Sequence, residues 1–126
     1  MKKANPVGWF EIPVADIERA IKFYKSVFGY EIDLQPEEDG FQMAWFPMGD
    51  EFGAAGTLVK GEGYTPSYEG TLVYFSVDDI DATLAKVEET NGKTIMPKRS
   101  IGEYGWIGLF EDSEGNRIAL HTDSSS

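Results

Sequence analysis

Few side chains in this sequence can move a proton or hold a metal. Cysteine is absent and His121 is the single histidine among 126 residues. Thiolate sites, cysteine nucleophiles and a facial triad of two histidines and a carboxylate within one chain are therefore excluded. What remains for acid–base chemistry is Glu11 as base, His121 as its partner and Tyr74 as a hydrogen-bond donor. The same residues have a plainer reading, in which Glu11 pairs with Arg117 or water and His121 is solvated near the chain end. A second set, Trp9, Trp45, Met43, Tyr104 and Trp106, could wall a flat or apolar ligand, although aromatic residues in strands also serve as ordinary core. No Ser-His-Asp spacing, phosphate-binding loop or dinucleotide fingerprint is present.

The elements that must position these residues are written as a repeat. Val14, Asp16, Ile17, Gly29 and Ile32 return as Val77, Asp79, Ile80, Gly92 and Ile95, each 63 positions later. In the first copy "WFEIPV" alternates, with Phe10 and Ile12 on one face and Trp9 and Glu11 on the other. "DIERAIKFYKSVFG" then places Ile17, Ala20, Ile21, Tyr24 and Phe28 at helical spacing, between Asp16 as N-cap and Gly29 as stop. The second copy runs "TLVYFSV", Asp79 as cap, Ile80, Leu84 and Val87 along the buried stripe, and Gly92 as stop. Three strand-like runs follow each helix: "YEIDLQ", "FQMAWFP" and "AAGTLVK" after the first, "KTIMPKRSI", "WIGLFED" and "NRIALHT" after the second.

The chain thus reads as a single α+β domain over residues 1–126. Two tandem β-α-β-β-β modules, 5–60 and 70–123, are joined by a Gly-, Pro- and Tyr-rich connector at 61–69 and followed by a frayed tail at 124–126. The expected architecture is one curved, mixed sheet cleft with a helix outside each half. Phe10, Ile12, Val73, Phe75, Ile118 and Leu120 must then face the helices. Strand parity turns Trp9, Glu11, Pro13, Thr57, Val59, Leu72, Tyr74, Ser76, Arg117, Ala119 and His121 to the concave side. The segment "SIGEYGWIG" reads as a lid or an ordinary hairpin, and the acidic runs at 37–39 and 78–81 as a solvated turn and a helix start.

Charge narrows the partners. Twenty-two acidic against 11 basic residues give a net charge of -11, which repels nucleic acid and anionic membrane surfaces. No run is long and apolar enough to span a bilayer, and Lys2 and Lys3 lead into "ANPVGW" rather than a secretory signal, so a cytoplasmic protein is expected.

Three segments, "FEIPVADIERAIKFYKSVFGYE", "FSVDDIDATLAKVEETNGK" and "FEDSEGNRIALH", in this order and spacing, resemble the glyoxalase, bleomycin-resistance and extradiol-dioxygenase superfamily, the vicinal oxygen chelate (VOC) fold. The resemblance covers nearly the whole chain and implies the paired-module fold. For activity it implies less, because the superfamily includes metal-dependent lyases, isomerases, thiol transferases and dioxygenases as well as drug-binding proteins. In metal-dependent relatives the ligands are His, Gln or Glu on the first and last strand of each half. Laying that pattern on this chain puts Trp9, Thr57 (or Gly56), Leu72 and Ala119 at those positions; the offset of 63 from Trp9 to Leu72 agrees. None is a donor for a divalent metal.

The resemblance therefore implies no metal and no other cofactor. It points to a small, partly aromatic or apolar molecule bound in the cleft by Trp9, Thr57, Leu72, Arg117, Ala119 and Trp106. The alternative is a lactoylglutathione-lyase-like lyase or isomerase using Glu11 and His121, with Tyr74, or a non-standard metal site; a dioxygenase is disfavoured. Relatives of this design often pair, so a homodimer is expected.

Overall fold

The structure, a computed structural model, describes residues 4–123, and the predicted tail at 124–126 lies outside that range. The first half comprises strand β1 (Trp9–Pro13), helix α1 (Ile17–Phe28), and strands β2 (Asp33–Leu34), β3 (Gln42–Trp45) and β4 (Ala55–Lys60). The second comprises β5 (Tyr74–Ser76), α2 (Ile80–Glu89), β6 (Lys93–Ser100), a short 3-10 turn (Gly102–Tyr104), β7 (Trp106–Glu111) and β8 (Arg117–Thr122). Both helices start as the sequence dictates. The carboxylates of Asp16 and Asp79 accept the backbone N–H of Arg19 (3.1 Å) and Ala82 (3.0 Å), satisfying an N–H that the helix leaves without a partner.

The two helices end differently. At Gly29 the chain turns left-handed (φ 77°) and the glycine N–H returns to Lys25, a turn that favours glycine. After α2 the left-handed residue is Asn91 (φ 68°) rather than the predicted stop Gly92. Gly92 is required for space: a Cβ there would lie 2.6 Å from the Glu111 carbonyl and 2.8 Å from Phe23.

In each half the first strand pairs in parallel with the last, and the remaining pairs are antiparallel, giving the orders β1-β4-β3-β2 and β5-β8-β7-β6. The expected pair of mixed β-α-β-β-β modules is thus present, built as two four-stranded sheets that no ladder among the described residues joins, and the free edges of β1 and β5 border a seam. Aromatic rings and one amide close it. Phe10 and Phe75 meet edge to face at 5.9 Å, Phe28 stacks on Phe75 at 4.6 Å, and Asn116 Nδ2 donates to the Pro13 carbonyl at 2.7 Å.

The core lies on the helix side and spans both halves. Ile12, Leu58, Phe75, Phe110, Ile118 and Leu120 meet Ile17, Ala20, Phe23, Tyr24 and Val27 of α1 and Ile80, Leu84 and Val87 of α2. The spacing assigns Ile21 and Phe28 to the buried stripe, yet both are only half-buried while Phe23 and Val27 are buried. The reason is that α1 is covered from two directions: Phe23 packs on Phe110 of the second half, with ring centroids 5.9 Å apart. Each fully buried ring or branched side chain contributes about 1.5–3 kcal/mol.

The turn between β7 and β8 fastens the second half to the first. Glu114 accepts the backbone N–H groups of Ala15 and Asp16 and holds Arg19 through Nε (2.7 Å) and Nη2 (2.9 Å). Beneath it, Tyr24 Oη donates to buried Asp112 at 2.6 Å, and Asn116 donates to the same carboxylate through its backbone and side chain. Burial pushes the Asp112 carboxyl up against the pull of these donors, and burial followed by the Asp112 charge raises the Tyr24 phenol well above its usual range.

Candidate functional site

Register decides which side chains share the face away from the helices. Glu11 lies opposite Thr57, which lies opposite Trp45, so these three with Trp9, Met43 and Val59 line that face of the first sheet. In the second, Tyr74 lies opposite Ala119, Ser76 opposite His121, Ile107 opposite His121 and Glu111 opposite Arg117. The parity expected of Trp9, Glu11, Tyr74, Arg117 and His121 is the parity observed. Trp106 is on the other face, in the layer of Gly108 and Phe110, where it packs against the core under the Lys98 ammonium, 4.7 Å from the ring centroid.

The first face is aromatic and acidic. Trp9 is 41% exposed and meets Trp45 edge to face at 6.3 Å. Glu11 Oε1 accepts the phenol of Tyr64 at 2.8 Å, a hydrogen bond that raises the tyrosine above its ordinary range. Tyr64 comes from the connector, which folds back over the sheet because Gly61 admits the ring of Phe41: a Cβ on Gly61 would lie 2.1 Å from Phe41. Tyr64 and Phe41 then meet edge to face at 5.9 Å. The result is a pocket of about 570 Å³ walled by Phe41, Met43, Trp45 and Tyr64, with residues 35–39 along its rim. The indole N–H of Trp45 is buried and has no hydrogen-bond partner.

Connector residue Tyr68 does for the second face what Tyr64 does for the first. Its phenol donates to Glu111 Oε1 at 2.5 Å and is raised by that bond. Lys93 Nζ approaches the same oxygen at 3.7 Å. Arg117 Nε is buried without a partner. His121 Nε2 lies 2.7 Å from the Tyr104 carbonyl; since a carbonyl only accepts, Nε2 carries the hydrogen and Nδ1 is the ring's free acceptor in the neutral form.

The candidate residues therefore separate. Glu11 and Arg117 line one groove of about 230 Å³ on the seam. Val73, Tyr74, Phe75 and Ser76 line another, of about 450 Å³, with Phe10, Phe46 and the loop before β4. Glu11 and His121 are joined by no hydrogen bond, each having another partner. Thr57 and Ala119 are fully buried as floor beneath the face, and the Thr57 hydroxyl is enclosed by the carbonyls of Ala44 (3.0 Å) and Leu58 (2.9 Å). Leu72 is half-buried just ahead of β5. Tyr64, Tyr68 and Phe41 were not among the expected site residues; two tyrosines in a short glycine-bearing connector are the signal that marks them.

The chain matches the family model described as Glyoxalase/Bleomycin resistance protein/Dioxygenase superfamily over residues 7–120, and it belongs to that superfamily. A glyoxylase-like domain-containing protein of Didymella fabae is 34% identical over 122 residues, covering 92% of both chains. The putative glyoxylase CFP32 of Mycobacterium bovis is 32% identical over 118 residues, 90% of this chain and 44% of that protein, so this chain spans less than half of the mycobacterial relative. TnmS3, an antibiotic binding protein from Streptomyces sp. CB03234, superposes with a TM-score of 0.70 at 27% identity, covering 98% of this chain and 100% of that one.

The metal used by many members finds no donor set here. The four positions assigned by the resemblance carry an indole, an enclosed hydroxyl and two alkyl groups. Among the described residues no group of three or more His, Cys, Asp or Glu side chains could hold a metal ion. Among the described residues, those four positions therefore offer no donor set suited to a divalent cation.

Proposed function

We propose that the protein binds a small, partly aromatic molecule on the concave face of its modules, 5–60 and 70–123, without the divalent metal of its enzymatic relatives. The observation that carries this reading is the combination at the first sheet of an open aromatic wall, Trp9, Trp45, Phe41 and Tyr64, with non-ligating residues at the family's metal positions. An antibiotic-binding relative of the same length supports it. A thermal-shift screen of aromatic and dicarbonyl metabolites, run with elemental analysis of the purified protein, tests it, because a ligand selective for the native state raises the melting temperature. Stoichiometric zinc, nickel or manganese resistant to mild chelation would overturn the metal-free reading.

The names of the glyoxylase-like relatives favour a second reading, a lyase or isomerase; its acid–base candidates are Glu11, His121 and Tyr74, which act separately because Glu11 and His121 each have another partner. Glu11→Gln and His121→Ala separate the two. Loss of dicarbonyl turnover in both, with the fold intact, supports the enzyme; unchanged behaviour removes the pair from the site. We further propose a cytoplasmic homodimer. Val7, Trp9, Met48, Phe52 and Tyr74 are exposed apolar side chains, and β1 and β5 keep free edges that a second copy can cover. Light scattering that finds monomer at every concentration would exclude the dimer.

A further inference from the structure

We infer that the pocket walled by Phe41, Met43, Trp45 and Tyr64 selects a cation: its ligand is an organic amine or quaternary ammonium carried on an aromatic or apolar body. This rests on the binding reading above and narrows it to one charge class.

Glu37, Glu38 and Asp39 line the pocket, and neither a lysine nor an arginine does. The backbone that carries these carboxylates is held in a defined turn. Asp39 (φ 53°) and Gly40 (φ 83°) turn left-handed, and Glu38 and Phe41 exchange backbone hydrogen bonds of 3.0 and 2.9 Å, so the acidic rim and the Phe41 wall belong to one tight turn. Tyr64 is anchored by donating its phenol to Glu11. That bond fixes the ring beside Phe41 and puts a further carboxylate behind the wall.

Aromatic faces attract cations through their quadrupoles, most strongly when water is displaced. Surface carboxylates add an attraction that reaches roughly one Debye length, about 10 Å at 0.1 M salt. A cavity of about 570 Å³ is within the range that accepts a drug-sized molecule, roughly 300–1,000 Å³. An anion would meet three carboxylates and no compensating charge. A neutral body would gain the apolar walls alone.

Three naphthalene probes with one body and different heads test the assignment: (1-naphthylmethyl)trimethylammonium, 1-naphthylmethanol and 1-naphthylacetate, titrated against the full chain by calorimetry and tryptophan fluorescence. At low salt the ammonium should bind about tenfold or more tighter than the alcohol, and the acetate weakest. Adding 0.5 M sodium chloride should shrink the preference. The triple variant Glu37→Gln, Glu38→Gln, Asp39→Asn changes only exposed rim positions and should abolish most of the preference while leaving affinity for the alcohol within about twofold.

Equal affinity for ammonium and alcohol, or preference for the acetate, would overturn the cation assignment and leave the binding reading standing, since binding would still be seen. A preference undiminished in the triple variant would overturn it too, by placing the selective charges elsewhere. No binding of any probe at millimolar concentration would likewise overturn it, and the metabolite screen would then decide the broader reading alone.

Discussion

Residues 112–116 join β7 to β8, and residues 46–54 join β3 to β4, at matching places in the repeated module. The first turn reaches the start of α1 and there spends three acidic or amide side chains on the other half: Asp112 on Tyr24, Glu114 on Arg19 and two backbone N–H groups, Asn116 on the Pro13 carbonyl. The loop in the first half carries Asp50 and Glu51, and among the described residues it makes no corresponding clasp. Its Phe52 is 88% exposed and Met48 58% exposed, and together with Phe10, Tyr30 and β5 it borders the seam groove of about 450 Å³. One copy of the hairpin became a fastener. The other stayed open at the edge of a cavity. A repeat thus preserves the strand and helix plan while each turn acquires its own work, because a turn's side chains are free of the parity that binds a strand.

The comparison is broken most severely by Asp112→Ala. It leaves the Tyr24 hydroxyl, the Asn116 amide and the backbone N–H groups of Glu114 and Asn116 without their acceptor, a loss of about 3–5 kcal/mol in urea denaturation. Asp50→Ala and Glu51→Ala in the open loop should each stay within about 0.5 kcal/mol of the parent. Equal losses at the two sites would erase the distinction.

Glu114→Gln is the next largest, about 1.5–3 kcal/mol, and it depends on pH. Burial pushes the Glu114 carboxyl up, but hydrogen bonds from Arg19, from the N–H groups of Asp16 and Ala15 and from Ser113 outweigh it and hold the group below the usual carboxylate range. A depressed carboxylate adds stability above its ordinary pKa and loses it as pH falls through the folded value. The gap between parent and variant should therefore narrow between about pH 5 and pH 3. Asp112, raised by burial, works in the opposite direction, so only the difference between parent and variant isolates Glu114. A gap independent of pH would show that the carboxylate charge plays no part.

The smallest effects concern the open loop alone. Phe52→Ser should leave the melting temperature within about 2 °C, since an exposed ring contributes little packing. Backbone amides of residues 48–54 should exchange with deuterium well before that of Asn116, which is tied to the buried carboxylate of Asp112. Protection of both would make the loop a second fastener.

Much of this was legible in the sequence, and the limits have physical causes. The offset of 63, the Asp16 and Asp79 caps and the alternation of Phe10 and Ile12 against Trp9 and Glu11 are local signals, and the structure follows them. Strand parity also turned Tyr74, Arg117 and His121 to the expected face. Parity says nothing, however, about depth or distance. Thr57 and Ala119 have the expected orientation yet are fully buried, and Glu11 and His121 share a side without sharing a partner. Trp106 went to the opposite face because its register is set by Gly108 against α2, where a Cβ would lie 3.0 Å from Ile80. Tyr64 was hidden because its role depends on Gly61 yielding to Phe41, a contact between the connector and a strand that no periodicity encodes.

The connector between the modules ties a tyrosine to each: Tyr64 to Glu11 of the first, Tyr68 to Glu111 of the second. A peptide bond cut between these two anchors leaves each fragment with its own tether, and the Glu114 clasp, the Phe10–Phe75 contact and the shared aromatic core all lie outside the cut. The covalent link then matters chiefly as effective concentration, turning the meeting of two modules into an intramolecular event. The chain is in this sense a heterodimer synthesised in one piece, and two fragments divided at residue 66 should reassemble when co-expressed, which co-purification of the pair would check.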